Sequence, residues 1–178
     1  LCAEQLGRDA TVHAVALGAE SGESTFYALC EGGGSNSLSA IPGAVEERVT
    51  VTTLDAFLEA HPGGPVRFVK IDTEGHDLFV LRGAAASLRS GAIEALQFEY
   101  NWRWLETRLS LRDLFELLAT VPYRLGKLAG PRLELYDAWH PELDRFIETN
   151  FVLVRRGSPL EALGVPMDFD ATNAAAPR

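Results

Sequence analysis

Cysteine is scarce in this 178-residue sequence: Cys2 and Cys30 are the only two. They could pair, but no dense framework and no CxxC spacing is present, which excludes a disulfide scaffold and a thiolate metal site and fits a reducing compartment. Basic clusters are lacking as well. Sixteen Lys and Arg stand against 25 Asp and Glu, for a net charge of -9, so nucleic acid is not an expected partner, because phosphate binding needs a basic surface. No apolar run approaches the roughly 20 residues that span a bilayer, and the start has neither the basic nor the apolar region of a signal peptide. No membrane partner is expected, and the expected setting is cytoplasmic. What the chain does have is 47% hydrophobic residues in a well-mixed sequence, enough for one globular domain with a core.

The apolar pattern alternates between strands and helices. Val12 to Leu17 is a short β-branched run closed by Gly18, and Ser24 to Leu29 reads as a second strand after Gly22. The stretch from Glu31 to Ser39, rich in Gly and Ser, forbids regular structure. Val49 to Thr53 is β-rich, and Leu54 to Leu58 has the spacing of a short helix stopped by His61-Pro62-Gly63-Gly64. Val66 to Ile71 is the clearest strand. After it, Leu78, Val80, Leu81, Ala84, Ala85 and Leu88 form one helical stripe that Ser90-Gly91 ends. Ile93 to Phe98 gives a further strand and Leu111 to Ala119 an amphipathic helix with Ser110 as its N-cap. Strand, helix, strand, helix implies parallel strands joined by crossovers. Tyr123 to Leu128 and Asn150 to Arg155 have no full crossover helix between them, so an antiparallel pair at an edge is expected. The composition of Ser158 to Arg178 predicts a largely loose tail.

In open α/β sheets ligands bind beyond the carboxyl ends of strands, which directs attention to two acidic strand ends. The first is Lys70-Ile71-Asp72-Thr73-Glu74-Gly75-His76-Asp77. A carboxylate or imidazole there could take a proton from a substrate hydroxyl or help ligate a divalent cation. The plainer reading is that Asp72 or Thr73 caps the next helix, with Glu74 and Asp77 at its positive end. The second is Gln97 to Asn101, where alternation puts Gln97, Glu99 and Asn101 on one side. Glu99 could equally pair with a nearby cation. The loop from Gly32 to Ser39 could close over a ligand or serve as a plain linker. Trp102, Trp104, Trp139 and His140 could line an acceptor pocket, though packing is the commoner role of such aromatics. His13 reads as structural and His61 as solvated.

The segments VTTLDAFL and VRFVKIDTEGHDLFVLRGA together resemble the central signature of FkbM-family methyltransferases. VHAVALGAESGESTFY is similar to that family's third strand and following turn, SNSLS to its Ser-rich loop, and ALQFEYN to its fifth strand. The resemblance covers residues 1–156 and leaves 157–178 as tail. It implies a doubly wound, mostly parallel α/β sheet of the class I methyltransferase, Rossmann-like type, with a C-terminal antiparallel hairpin. The Gly-containing cofactor loop and the ribose-binding acid of such folds have no counterpart in the sequence, so an N-terminally incomplete domain is expected, whose open sheet edge would invite a partner or a homo-oligomer. The implied activity is methyl transfer from S-adenosylmethionine to a hydroxyl oxygen of a small molecule or sugar.

Residue by residue, Lys70, Asp72 and Glu74 match the KIDxEG motif. The resemblance implies Asp72 near the methyl sulfonium and Glu74 and His76 toward the acceptor. Ala16, Leu17 and Asp72 are the expected cofactor contacts, and Ser35, Asn36, Ser37, Glu99 and Asn101 the expected substrate contacts. No metal is expected. Asp77 departs from the Glu common in the family, keeping the charge at the helix start. Competing expectations are an inactive methyltransferase-like fragment that acts as a binding module, a dehydrogenase half, which lacks its GxGxxG turn, and a metal-dependent hydrolase, which lacks a His-rich ligand set.

Overall fold

The computed structural model describes residues 10–28, 38 and 42–178. The segment Leu1 to Gly7, both cysteines, and Ser35, Asn36 and Ser37 of the Gly- and Ser-rich loop lie outside the described residues. Two sheets form. The smaller contains β1 (Ala16–Leu17), β2 (Gly22–Ala28) and β3 (Val45–Thr52), in the order β1-β3-β2. β3 pairs with β1 in parallel and with β2 as an antiparallel ladder from Gly22 opposite Val51 to Ala28 opposite Val45. Of the expected first strand, only Ala16 and Leu17 reach β3, while Val12 and Val15 stay exposed.

The larger sheet contains β4 (Val66–Ile71), β5 (Ile93–Tyr100), β6 (Tyr123–Ala129), β7 (Arg132–Tyr136), β8 (Thr149–Arg155), β9 (Val165–Phe169) and β10 (Ala175–Pro177). Their order is β10-β9-β7-β6-β8-β5-β4. Only β4 with β5 and β7 with β9 run parallel; β5 with β8, β8 with β6, β6 with β7, and β9 with β10 are antiparallel. This overturns the expectation of a doubly wound, mostly parallel, Rossmann-like sheet: the described residues form two mixed sheets. The reason lies in the connections. A parallel pair needs a crossover of a dozen residues or more. The segment 72–92 supplies one between β4 and β5, whereas Gly130-Pro131 between β6 and β7 leaves room only for a hairpin. The pair of strands expected at an edge, β6 and β8, lies inside the sheet.

Among the described residues four α-helices accompany the sheets: α1 (Leu54–Ala60), α2 (Asp77–Arg82), α3 (Ala85–Ser90) and α4 (Leu111–Leu118). No helix among the described residues is long and apolar enough to cross a membrane. Caps account for two helix starts. Thr53 Oγ1 accepts from the Ala56 amide at 3.0 Å to open α1, and Asp113 accepts from the Ser110 amide at 2.9 Å in a capping box on α4. The single stripe from Leu78 to Leu88 is divided between α2 and α3 at Gly83. A Cβ on Gly83 would lie 2.1 Å from the carbonyl oxygen of Gly18, and the Gly83 carbonyl accepts from the Asp55 amide at 3.0 Å. Asp55 in turn accepts from the amides of Ala86 and Ser87, both at 2.8 Å, and so caps α3 from another helix. The small sheet is joined to the main body at this contact.

The core fills the space between β5, β6, β8 and the helices, with Trp104, Tyr100, Tyr123, Phe98 and Phe151 as its largest fully buried side chains. Burying aromatics of this size contributes most of the apolar driving force. Their polar atoms are matched. Asp144 accepts from the Tyr100 hydroxyl at 2.7 Å, the Leu111 amide at 2.7 Å and the Trp139 indole at 2.5 Å. The composition of 158–178 predicts looseness, yet this segment supplies β9 and β10. Met167 is buried, Phe169 stacks on His140 at 4.0 Å and on Tyr136 at 5.6 Å, and Arg178 bonds both carboxylate oxygens of Asp168. Exposed ion pairs contribute little, so the apolar contacts are what dock the segment.

Gly83→Ala is expected to lower stability by about 1–3 kcal/mol, because the new methyl group must displace backbone. Thermal denaturation checks this against Gly63→Ala, where no atom lies near the added carbon and the midpoint should hold.

Candidate active site

The parallel register between β4 and β5 sets Ile71 beside Phe98, so both acidic strand ends open at the same end of the sheet. Beyond Ile71 the chain turns sharply. Glu74 takes φ 54° and Gly75 φ 94°, left-handed values that Gly adopts freely and Glu does at a cost. Gly75 is also confined: a Cβ there would stand 2.8 Å from the carbonyl oxygen of Arg103. The turn thus lies directly against the 3-10 turn Trp102–Leu105 that follows β5. Thr107 strengthens the junction by placing its hydroxyl 3.3 Å from the Gly75 carbonyl and 2.9 Å from that of Trp104.

Side chains connect the two ends. Arg103 Nε pairs with Glu74 Oε2 at 2.9 Å, both largely shielded from solvent. Asn101 donates to Glu99 Oε1 at 2.9 Å and accepts from the Arg103 amide at 2.9 Å. The Trp104 indole donates to the Glu99 carbonyl at 3.0 Å. Lys70 pairs with Asp72 at the exposed mouth. Glu99, for which a cationic partner was an open reading, is held by the Asn101 amide instead.

These groups face one cleft of about 1100 Å³. Ala16, Leu17, Lys70, Asp72, Glu74, Glu99 and Asn101 all line it, so the small sheet forms one wall and the strand ends the other. His76 is turned away and lines a neighbouring hollow of about 380 Å³ with Leu17 and Phe79. His13, Glu47, Arg103 and Glu148 join the cleft without having been singled out for it by sequence pattern, and the half-exposed Trp102, one of the aromatics weighed for an acceptor pocket, lines it too. Glu148 comes from the residue before β8, whose antiparallel register places Thr149 beside Tyr100. Nothing in its own neighbourhood of the sequence marks it. Trp104, Trp139 and His140 are packing or capping residues instead. Among the described residues no group of three or more His, Cys, Asp and Glu is placed to hold a metal.

The electrostatics follow from burial. Partial burial raises the Glu74 carboxyl above its ordinary value; Arg103 opposes this, and Glu99, Asp72 and Glu148 add to it by repulsion. Burial lowers the His76 imidazole, with Glu106 in opposition. Asp77, behind the turn, is pushed up to about 6 by burial. Thr73 and nearby backbone amides act against that rise, but neither carboxylate oxygen closes a well-formed hydrogen bond. The cleft therefore offers an acidic surface in which one carboxylate, Glu74, holds a proton more readily than a free side chain would.

Residues 4–127 match the family description "Methyltransferase FkbM domain". No curated protein and no solved structure matches the chain.

Asp77 gives a pH prediction with a definite sign. Its folded value of about 6 exceeds the ordinary 3.8, so the folded state keeps this proton to higher pH than the unfolded chain does. Stability relative to Asp77→Asn should fall as pH rises from about 4 to about 6, by about 3 kcal/mol for a shift of roughly two units, and remain lower above that. Denaturant unfolding of both proteins across this range measures the difference; parallel stability curves would contradict it.

Proposed function

The chain belongs to the FkbM methyltransferase domain family, and on that premise we propose that the acidic cleft supports methyl transfer from S-adenosylmethionine to a hydroxyl oxygen of a small molecule or sugar. The observation that carries this reading is the convergence of Asp72 and Glu74 from β4 with Glu99 and Asn101 from β5 on one cleft. The donor set suits the cofactor: five carboxylates, Glu47, Asp72, Glu74, Glu99 and Glu148, face a space whose ligand would bring a positively charged sulfonium. Asp72, Ala16 and Leu17 would hold it. Bound there, S-adenosylmethionine supplies an electrophilic methyl group.

The chain's own residues supply orientation and a place for the proton. Glu74 is the favoured base, because burial and neighbouring carboxylates raise its proton affinity while Arg103 fixes its position. Asn101 and Glu99, locked to each other, present an amide and a carboxylate to acceptor hydroxyls. Lys70 holds Asp72 at the mouth. Alignment of the acceptor oxygen with the transferring group accounts for more of the rate than the base, since positioning can lower a barrier by several kcal/mol. A neutral acceptor is favoured over a polyanion, because the cleft and the whole chain are acidic. The scarcity of cysteine supports a reducing, cytoplasmic setting.

Calorimetric titration of S-adenosylmethionine and S-adenosylhomocysteine is the direct test. Binding by the wild type, weakened about tenfold or more in Asp72→Asn, is expected for loss of one close charge of about 1.4 kcal/mol. Glu74→Gln should retain cofactor binding and reduce methyl transfer by a factor of about 10² to 10⁴. Absence of binding by the wild type would sink the cofactor assignment.

A further inference from the structure

Asp77 stands out from every other acid among the described residues. It is 1% exposed, the least exposed charged side chain among the described residues, and both its oxygens lack a hydrogen-bond partner. The hydroxyl of Thr73, also buried, is unpartnered too. A buried carboxyl in this condition destabilises the folded state unless it gains partners. Leu78, Val80 and Leu81 in the same helix show that apolar side chains suit this depth.

Its place is informative. Asp77 is the first residue of α2, immediately behind the turn that bears Asp72 and Glu74. Polar groups of two elements act on its carboxyl without closing a well-formed hydrogen bond: the Thr73 hydroxyl and Gly75 amide from the turn after β4, and the Glu99 amide from the end of β5. β4 pairs with β5 only as far as Ile71 beside Phe98, so beyond that register the two strand ends have no ladder bonds to each other. A carboxylate with two oxygens and several acceptor sites is suited to span such a gap.

We infer that Asp77 is a positioning residue: its buried carboxyl fills the gap between the turn carrying Asp72 and Glu74 and the strand end carrying Glu99, and so sets the spacing of the acids around the ligand. It does not face the cleft itself, which Asp72, Glu74 and Glu99 line. The inference rests on the methyl-transfer reading and adds to it a residue that acts through its neighbours. A displacement of about 1 Å at such a site reduces activity by a factor of about 10², so small changes behind the turn are felt in front of it.

The test compares the 178-residue wild type with Asp77→Leu, Asp77→Asn and Asp77→Glu, using S-adenosylhomocysteine as the probe in calorimetry and thermal denaturation alongside. A positioning role separates the two readouts. Asp77→Leu and Asp77→Asn should melt at or above the wild-type midpoint at neutral pH, while their Kd for S-adenosylhomocysteine rises about tenfold or more. Asp77→Glu, which keeps the carboxyl, should recover much of the lost affinity. Should Asp77→Leu fail to fold, Asp77→Asn, close to it in shape and to aspartate in polarity, carries the comparison. Wild-type affinity in a folded Asp77→Leu or Asp77→Asn would overturn the inference and leave the cofactor reading intact. No binding by the wild type would overturn both.

Discussion

The backbone of Gly75 lies so close to that of Arg103 that no side chain fits between them, and the candidate site depends on this contact. It forces the turn after β4 into a left-handed path, and that path brings Glu74 alongside Arg103. With the turn fixed, the end of β4 and the end of β5 share one cleft. The same contact explains why the site needs few long elements to define it. Parallel pairing of β4 and β5 brings the strand ends to one edge, the glycine sets their separation, and Thr107 holds the result. A second close approach, Gly83 against Gly18, ties the small sheet to α2 and α3 and so places Ala16 and Leu17 on the opposite wall.

Two kinds of acid result from this arrangement. Asp144 is half-buried with three donors satisfied, and its role is to match the polar atoms at the margin of an aromatic core. Asp77 and Glu74 sit where burial raises their proton affinity; Arg103 pairs with Glu74, while Asp77 is left without a partner. Groups perturbed by burial and neighbouring charge gather at functional sites more often than in packing layers.

Local elements were legible in the sequence where local physics decides them. Thr53 and Ser110 start helices as caps, Val66 to Ile71 and Ile93 to Phe98 form strands, and the acids at their ends mark the cleft. Pairing was legible only in part: β4 with β5 in parallel and β6 with β8 antiparallel were expected, but the predominance of antiparallel pairs and the interior place of β6 and β8 were not. A buried strand such as Val152 to Val154 has the same apolar run whether its neighbours are parallel or antiparallel, and here the neighbours on both sides are antiparallel. The break at Gly83 was hidden because the helical stripe continues on both sides; only the contact with Gly18, distant in sequence, requires it. Arg103 and Glu148 reach the cleft through the same long-range geometry, and neither belongs to a motif. The docking of 158–178 rests on a few apolar residues, Met167 and Phe169 among them, within an otherwise polar composition.

Hydrogen–deuterium exchange with and without S-adenosylmethionine measures most directly whether the two strand ends act as one site. Slowed exchange on ligand addition should appear together in the turn after β4, at Asp72 to Asp77, and at the end of β5, from Glu99 to Arg103. Protection of only one of these segments, or of neither, would contradict a shared cleft as the place where the methyl donor binds.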